Sequence, residues 1–284
     1  MEKQKRVMAI HDISCFGKCS LTVALPILSA AGLETSVIPT AVLSTHTGGF
    51  TGYTYHDLTE DIPQISRHWQ TLHLSFDAIY SGFLGSFEQL KIVSQLIDSF
   101  KQKNMLVFVD PVMADNGALY SGFSSNFPQG MAKLCGKADV IVPNLTEAAL
   151  LLGQPYQKGP YSRTYIDRVL ENLGKLGPNQ VVLTGVYFDE GYLGAAAYNK
   201  LTGEIDYVLS ERIDGSFHGT GDVFASALLS ALMKGFSLAK ATRIAVDFTV
   251  GSILRSKKAG TDIRFGVNFE AGIPELIKKL GLFK

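Results

Sequence analysis

The sequence predicts an α/β protein in which a mostly parallel sheet is covered by helices on both faces. Three observations predict it. Strand-like and helix-like segments alternate along the 284 residues. The strand-like runs are apolar throughout rather than at every second residue. Polar residues fall at the ends of those runs. Alternation of the two element types is the signature of βαβ units. Strands buried on both faces read as continuous apolar runs, whereas a strand with one wet face alternates.

Residues 7–10 read as the first buried strand, and residues 20–31 as a helix closed by Gly32. Residues 36–43 are β-rich although Pro39 interrupts them. Residues 78–80 form a short strand, and residues 90–100 repeat apolar side chains at helical spacing. Residues 105–109 are a strand ending on Asp110-Pro111, and residues 140–142 one ending on Pro143-Asn144. Residues 146–152 read as a helix stopped by Gly153 and Pro155. Residues 165–176 are amphipathic, and residues 181–183 are a strand ending on Thr184-Gly185. Residues 222–233, 238–254 and 274–280 are helical. The β-rich segments 35–55 and 194–209 add small strands at the sheet edge. His68, Trp69 and His73 are placed on a helix face without a role. The chain has no linker, repeat or low-complexity tract, which predicts a single domain over residues 1–284. Asp12, Asp110, Asn144 and Thr184 are predicted just past strand ends, the edge where open α/β sheets bind ligands.

Composition excludes several classes of function. Lys+Arg and Asp+Glu are both 26, so the formal net charge is zero and no basic excess points to nucleic acid. The apolar stretch 223–233 is far below the ~18 residues of a spanning helix. The charged N-terminus leads into a short strand, not a secretory apolar region. Three Cys argue against a disulfide framework. Together these predict a cytoplasmic protein with neither nucleic-acid nor membrane partner.

The sharpest motif is Phe217-His218-Gly219-Thr220-Gly221-Asp222 followed by an apolar helix. The glycines let the backbone turn tightly and approach a ligand. The free N–H groups of the helix start attract an anion. Asp222 is either a favourable first-turn acid or a base that takes a proton from an alcohol while the N–H groups of Gly219, Thr220 and Gly221 stabilise a phosphoryl group. Asn144 and Glu147 are either an N-cap with its capping-box partner or a site where Glu147 orders water around Mg²⁺. Asp110 and Asp115 follow a buried strand, where an unpaired acid is costly, so a charged ligand or metal is a natural partner.

These motifs, in order and separation, resemble the ribokinase-like superfamily, and the resemblance covers nearly the whole chain. It implies a three-layer α/β/α sandwich with a mostly parallel central sheet and small edge β elements. Within the superfamily the sequence most resembles the pyridoxal kinases. That resemblance rests on Ser44-Thr45-His46-Thr47-Gly48-Gly49-Phe50, Ser81-Gly82-Phe83-Leu84-Gly85-Ser86, Asp110-Pro111-Val112-Met113 and Ala118-Leu119-Tyr120. It implies phosphorylation of a hydroxymethyl group of a vitamin B6 vitamer by ATP, with Asp222 as base. Thr47 and His46 would then contact the pyridoxal ring, and Phe83 occupies a ring-stacking position usually held by Tyr. Asp110, Asp115, Asn144 and Glu147 would serve the phosphates and Mg²⁺, with Asp110 and Glu147 on the metal. Thr184 would lie on the nucleotide side, and residues 212–217, with Phe217, would flank the adenine. The resemblance also implies a homodimer through edge strands and leaves a monovalent-cation requirement open.

One departure stands out. The family's first strand is followed by Gln-Ser-His and a Gly-x-x-Gly-Asn stretch. Here it reads His11-Asp12-Ile13-Ser14-Cys15-Phe16-Gly17-Lys18-Cys19-Ser20, so the Ser that meets the ring falls on Asp12. An acid there pairs with a ring nitrogen or an amine, or binds the hydroxyls of another substrate. A kinase for hydroxymethylpyrimidine or a sugar-like alcohol, and a non-catalytic B6-binding protein, stay open as alternatives. Other motifs fail. No Walker A or Gly-x-Gly-x-x-Gly follows the first strand. His11, Cys15 and Cys19 repeat at intervals of four but lack a fourth metal ligand.

Overall fold

The computed structural model describes residues 3–283. Along the chain run β1 (Arg6–Ser14), α1 (Leu21–Ala30), β2 (Glu34–Leu43), β3 (Tyr55–Asp57), α2 (Asp61–Thr71), β4 (Ala78–Ser81) and α3 (Phe87–Phe100). Then follow β5 (Leu106–Val109), β6 (Ala114–Asp115), β7 (Ala118–Leu119), α4 (Phe127–Cys135), β8 (Val140–Ile141), α5 (Leu145–Leu151) and α6 (Arg163–Lys175). The last part holds β9 (Gln180–Val186), β10 (Tyr192–Asn199), β11 (Glu204–Glu211), α7 (Thr220–Met233), α8 (Leu238–Ala259) and α9 (Ile273–Lys279).

Nine strands form one sheet in the order β11-β10-β9-β8-β5-β4-β1-β2-β3. The run from β9 to β2 is parallel, and β10, β11 and β3 are antiparallel additions at the edges. The parallel sheet and the edge strands in the two β-rich segments are therefore as the sequence predicts. Because successive side chains of a strand point to opposite faces, the sheet divides the apolar interior in two. Met8 and Ile10 of β1 join the layer with α3, α4 and α6, while Val7 joins the layer with α1, α7 and α8. Ten of the fourteen residues of α7 are buried. Each fully buried Leu, such as Leu228 or Leu229, contributes roughly 1.5–3 kcal/mol relative to exposure. The turn that precedes α7 thus stands on a firmly packed base.

Several expectations are corrected. Asp12 and Thr184 lie inside β1 and β9 rather than past their ends. Strand β1 continues along β2 with a register shift between His11 and Ile13. Pro39 does not interrupt β2. It pairs across to His11 of β1, and β3 covers only Ala41–Leu43, so the missing N–H faces no ladder. His68 and Trp69 do lie on α2, but His73 sits beyond its end at φ 52°. Helix α4 is unpredicted, and α8 runs on to Ala259, where Gly260 closes it in the left-handed conformation. Among the described residues, no helix is long and apolar enough to cross a membrane.

Candidate active site

Parallel strands put their C-terminal ends on one edge, and there the predicted polar residues converge. Gly219 is the N-cap of α7 at φ 74°, the left-handed region that favours glycine. A Cβ on it would stand 2.0 Å from the carbonyl oxygen of Lys18, so the turn closes against the β1–α1 loop only without a side chain. Gly221 differs. Nothing lies within 4 Å of where its Cβ would be, so its bare backbone opens onto free space. The first intrahelical bond of α7 is from the Val223 N–H to the Gly219 carbonyl. The N–H groups before it precede the helical ladder, as at any helix start. Here no side chain caps them. Asp222 projects from this first turn. Its carboxyl is raised to about 7: burial drives the shift, the Ser20 N–H opposes it, and the charge of Asp12 adds to it.

Across from it lies a second group of acids. Asp110, just past β5, is 6% exposed, and Glu147, in the first turn of α5, is 3% exposed. Burial first, then the charges of Glu147 and Asp222, push Asp110 well above the usual carboxylate range. Burial raises Glu147 to about 8 against the pull of backbone N–H donors. Asn144 and Glu147 form a complete capping box. Asn144 Oδ1 accepts from the N–H of Thr146 at 2.8 Å and of Glu147 at 2.9 Å, while Glu147 Oε2 accepts from the Asn144 N–H at 2.9 Å. Glu147 Oε1 accepts from the Met113 N–H at 3.1 Å, and Asn144 Nδ2 donates to the Ala114 carbonyl at 2.8 Å. The box therefore also ties α5 to the segment after β5. Thr184 is bridged to Asn144 across the sheet, with its N–H donating to the Pro143 carbonyl at 2.9 Å. Asp115 is exposed in the small β6–β7 hairpin and accepts from the Asn116 N–H and side-chain amide at 2.8 and 3.0 Å.

The residues expected at the substrate follow β2 and β4, the two neighbours of β1 in the sheet. His46 is 6% exposed, and both its ring nitrogens meet backbone: Nδ1 accepts from the Gly48 N–H at 3.1 Å, so Nε2 donates to the Arg264 carbonyl at 2.6 Å. It braces the loop rather than presenting a free nitrogen. Thr47 next to it is exposed. Phe83 is half-buried beside Phe123, with ring centroids 5.7 Å apart. Phe217 is partly buried against the α7 side of the core, and its carbonyl accepts from the Thr220 hydroxyl at 3.0 Å.

Four site neighbours received no site role from the sequence: Ser20 and Tyr55 went unassigned, Tyr120 entered only through the resemblance, and Cys19 only as a metal ligand that lacks its set. Ser20, at φ 53° and ψ −127°, lies beside both Asp12 and Asp222; its hydroxyl lowers the pKa of Asp12, and its N–H lowers that of Asp222. The Cys19 thiol is pushed well up by burial and by the charges of Asp222 and Asp12. Tyr120 is 41% exposed, yet burial of its hydroxyl end and the charges of Glu147, Asp115, Asp110 and Asp222 raise it. Tyr55 of β3 places its hydroxyl near Gly85 and Phe83. The exceptional φ of a non-glycine residue is invisible in sequence, and the loop contacts arise only on folding. Among the described residues, no three His, Cys, Asp or Glu side chains are grouped to hold a metal ion. The Asp110–Glu147 pair still suits Mg²⁺, which keeps several waters and takes one or two carboxylates plus substrate phosphates.

Comparison with known proteins gives the same direction. The phosphomethylpyrimidine kinase family model matches residues 26–266. A Bacteroides thetaiotaomicron structure described as a candidate phosphomethylpyrimidine kinase, crystallised with pyridoxal, is 39% identical, with a TM-score of 0.92 and 96% of both chains covered. The structure of pyridoxal kinase from Lactobacillus plantarum is 31% identical, with a TM-score of 0.88 and 98% of both chains covered. Sheep (Ovis aries) pyridoxal kinase is 29% identical over 81% of this chain and 78% of its own. A candidate thiamine biosynthetic bifunctional enzyme of rice is 26% identical over 88% of this chain, which spans only 44% of that enzyme's length. The chain belongs to the phosphomethylpyrimidine kinase family, in its pyridoxal kinase branch.

Proposed function

We propose that this protein transfers the γ-phosphoryl group of ATP to the 5′-hydroxymethyl group of a vitamin B6 vitamer, giving the 5′-phosphate. The observation that carries the proposal is the uncapped turn at 219–222, where helix N–H donors and a carboxyl raised to about 7 share one open edge. The pyridoxal held by the Bacteroides thetaiotaomicron relative, and the names of the Lactobacillus plantarum and sheep enzymes, supply the substrate class.

In this mechanism Asp222 accepts the proton of the attacking alcohol, and the N–H groups of Gly219, Thr220 and Gly221 hold the charge of the transferring group. Asp110 and Glu147 would hold Mg²⁺, which would supply positive charge to offset that of the phosphates. Two adjacent buried acids with raised pKa values suit a cation, because its charge offsets their repulsion. Asn144 and Thr184 lie on the nucleotide side with Asp115 and Phe217. Thr47, His46 and Phe83 form the substrate side, His46 by bracing the loop. A cytoplasmic homodimer completes the proposal on the strength of the sequence resemblance.

A second substrate, hydroxymethylpyrimidine, is favoured by the description of the matching family and by Asp12 in place of Ser. ADP release from Mg·ATP with pyridoxal, pyridoxamine, pyridoxine and hydroxymethylpyrimidine separates the two. Turnover on the B6 vitamers supports the proposal. Turnover on the pyrimidine alone replaces it, and silence on all four refutes the kinase assignment.

A further inference from the structure

Asp12 is an anomaly in its surroundings. It lies where β1 shifts register, 5% exposed, one strand position from the fully buried His11. Its Oδ2 accepts from the Ser14 hydroxyl at 3.3 Å, and the Ser20 hydroxyl lies near enough to lower its pKa, but its Oδ1 is buried and meets no partner within hydrogen-bond distance. A buried carboxylate oxygen without a partner is costly and calls for an explanation. Among the described residues, no ion pair relieves it. The cation of the same loop, Lys18, is held by Glu270 at 2.9 Å and Asn268 at 3.1 Å, while Arg264 is held by Asp262. His11 beside it is neutral, because burial lowers its pKa to about 3. Asp12 also faces a second acid, since its charge acts on Asp222 across the site, and it acts on Tyr55 on the substrate side. The residue thus stands between the base and the substrate wall, with one oxygen unoccupied.

The chemistry of the missing partner follows. A neutral hydroxyl would satisfy the hydrogen bond but leave two acids unneutralised in a poorly solvated place. A basic nitrogen can share a proton with the carboxyl, so the pair carries no net charge whichever atom holds the proton. We propose that Asp12 is a specificity-determining residue that shares a proton with a basic nitrogen of the substrate. This inference rests on the vitamin B6 reading and deepens it. The vitamers offer two such nitrogens, the ring nitrogen common to all three and the aminomethyl nitrogen of pyridoxamine.

The test compares wild type with Asp12→Asn and Asp12→Ser on pyridoxine, pyridoxamine and a pyridoxine analogue whose ring nitrogen is replaced by CH. Asparagine keeps the shape and removes the charge, and serine restores the family's residue should asparagine disturb the strand. Loss of a hydrogen bond to a charged group predicts a fall in kcat/KM of about tenfold or more, carried mainly by KM. If the ring nitrogen is the partner, pyridoxine and pyridoxamine both lose, while the already weak analogue is unaffected. If the amine is the partner, pyridoxamine alone loses. A loss of equal size on all three compounds, or none in either variant, overturns the role of Asp12 and leaves the B6 reading standing. Wild-type silence on both vitamers overturns that reading and this inference with it.

Discussion

Two helix starts on the same sheet edge use the same ingredients in opposite ways. At α5 a strand ends, Asn144 caps, and Glu147 returns to the Asn144 N–H, so nearly every polar atom is matched within the protein. At α7 the cap is a glycine with no side chain to offer, and the first turn carries an acid. The first arrangement is a joint, and the second is a socket. Both carry an acid with a raised pKa, so an unusual carboxyl does not tell them apart. The availability of donors does. A phosphoryl group needs N–H groups that the fold has left unused, and α7 alone of these two helices leaves them.

The largest expected effect lies at the socket. Asp222→Asn should lower kcat by roughly a hundred- to ten-thousand-fold, the range typical of general-base loss. ATP affinity, measured by calorimetry, should change little. A kcat within a few-fold of wild type would erase the functional difference between the two helix starts.

The joint should respond in stability instead. Asn144→Ala removes the acceptor for two N–H groups and should cost about 0.5–2 kcal/mol in urea unfolding. No loss of stability would mean that the capping box is not what holds α5 to the segment after β5.

A subtler consequence concerns pH. Asp222 and Glu147 are raised to about 7 and 8 in the folded protein, above their unfolded values, so these two groups hold extra protons on folding between about pH 4 and pH 8, while His11, lowered to about 3, opposes them below about pH 6.5. Stability should therefore fall as pH rises from about 6.5 to about 8, and Mg·ATP should offset the fall most at the alkaline end. A melting temperature that instead climbs steadily from about pH 5 to pH 8 would contradict the raised values.

The smallest effect belongs to Ser20, a left-handed serine between two acids. Ser20→Gly relieves backbone strain but loosens the unfolded chain, and the two should cancel to within about 1 kcal/mol. A loss well beyond that would mean that the serine hydroxyl, rather than the backbone shape, holds the loop.

Much of this was legible in the sequence. The apolar strand runs give the parallel sheet, and the spacing of Asn144 and Glu147 announces the capping box. Helix α4 was not legible, because Pro128 and Gly130 weaken its pattern, although the first sits harmlessly at the helix start and the second lets Phe87 pack closely. Strands β1 and β9 run through Asp12 and Thr184 because the neighbouring ladders continue there, which no local pattern reveals. At the site, Gly219 and Asp222 were legible as a motif. The reason that Gly219 must be glycine, the Lys18 carbonyl pressed against it, depends on a contact between residues some 200 positions apart. Gly221 was read as another turn glycine, whereas its place is to leave room.

The assignment of Asp222 as the base is tested most directly by the pH dependence of kcat/KM for pyridoxine in wild type and in Asp222→Asn. A base must be ionised to accept a proton, and kcat/KM reports the free protein, so wild-type kcat/KM should rise through a pKa near 7 and level off above it. That limb should vanish from the residual activity of the variant. An acid limb that persists unchanged in Asp222→Asn would contradict the assignment and move the proton to another group.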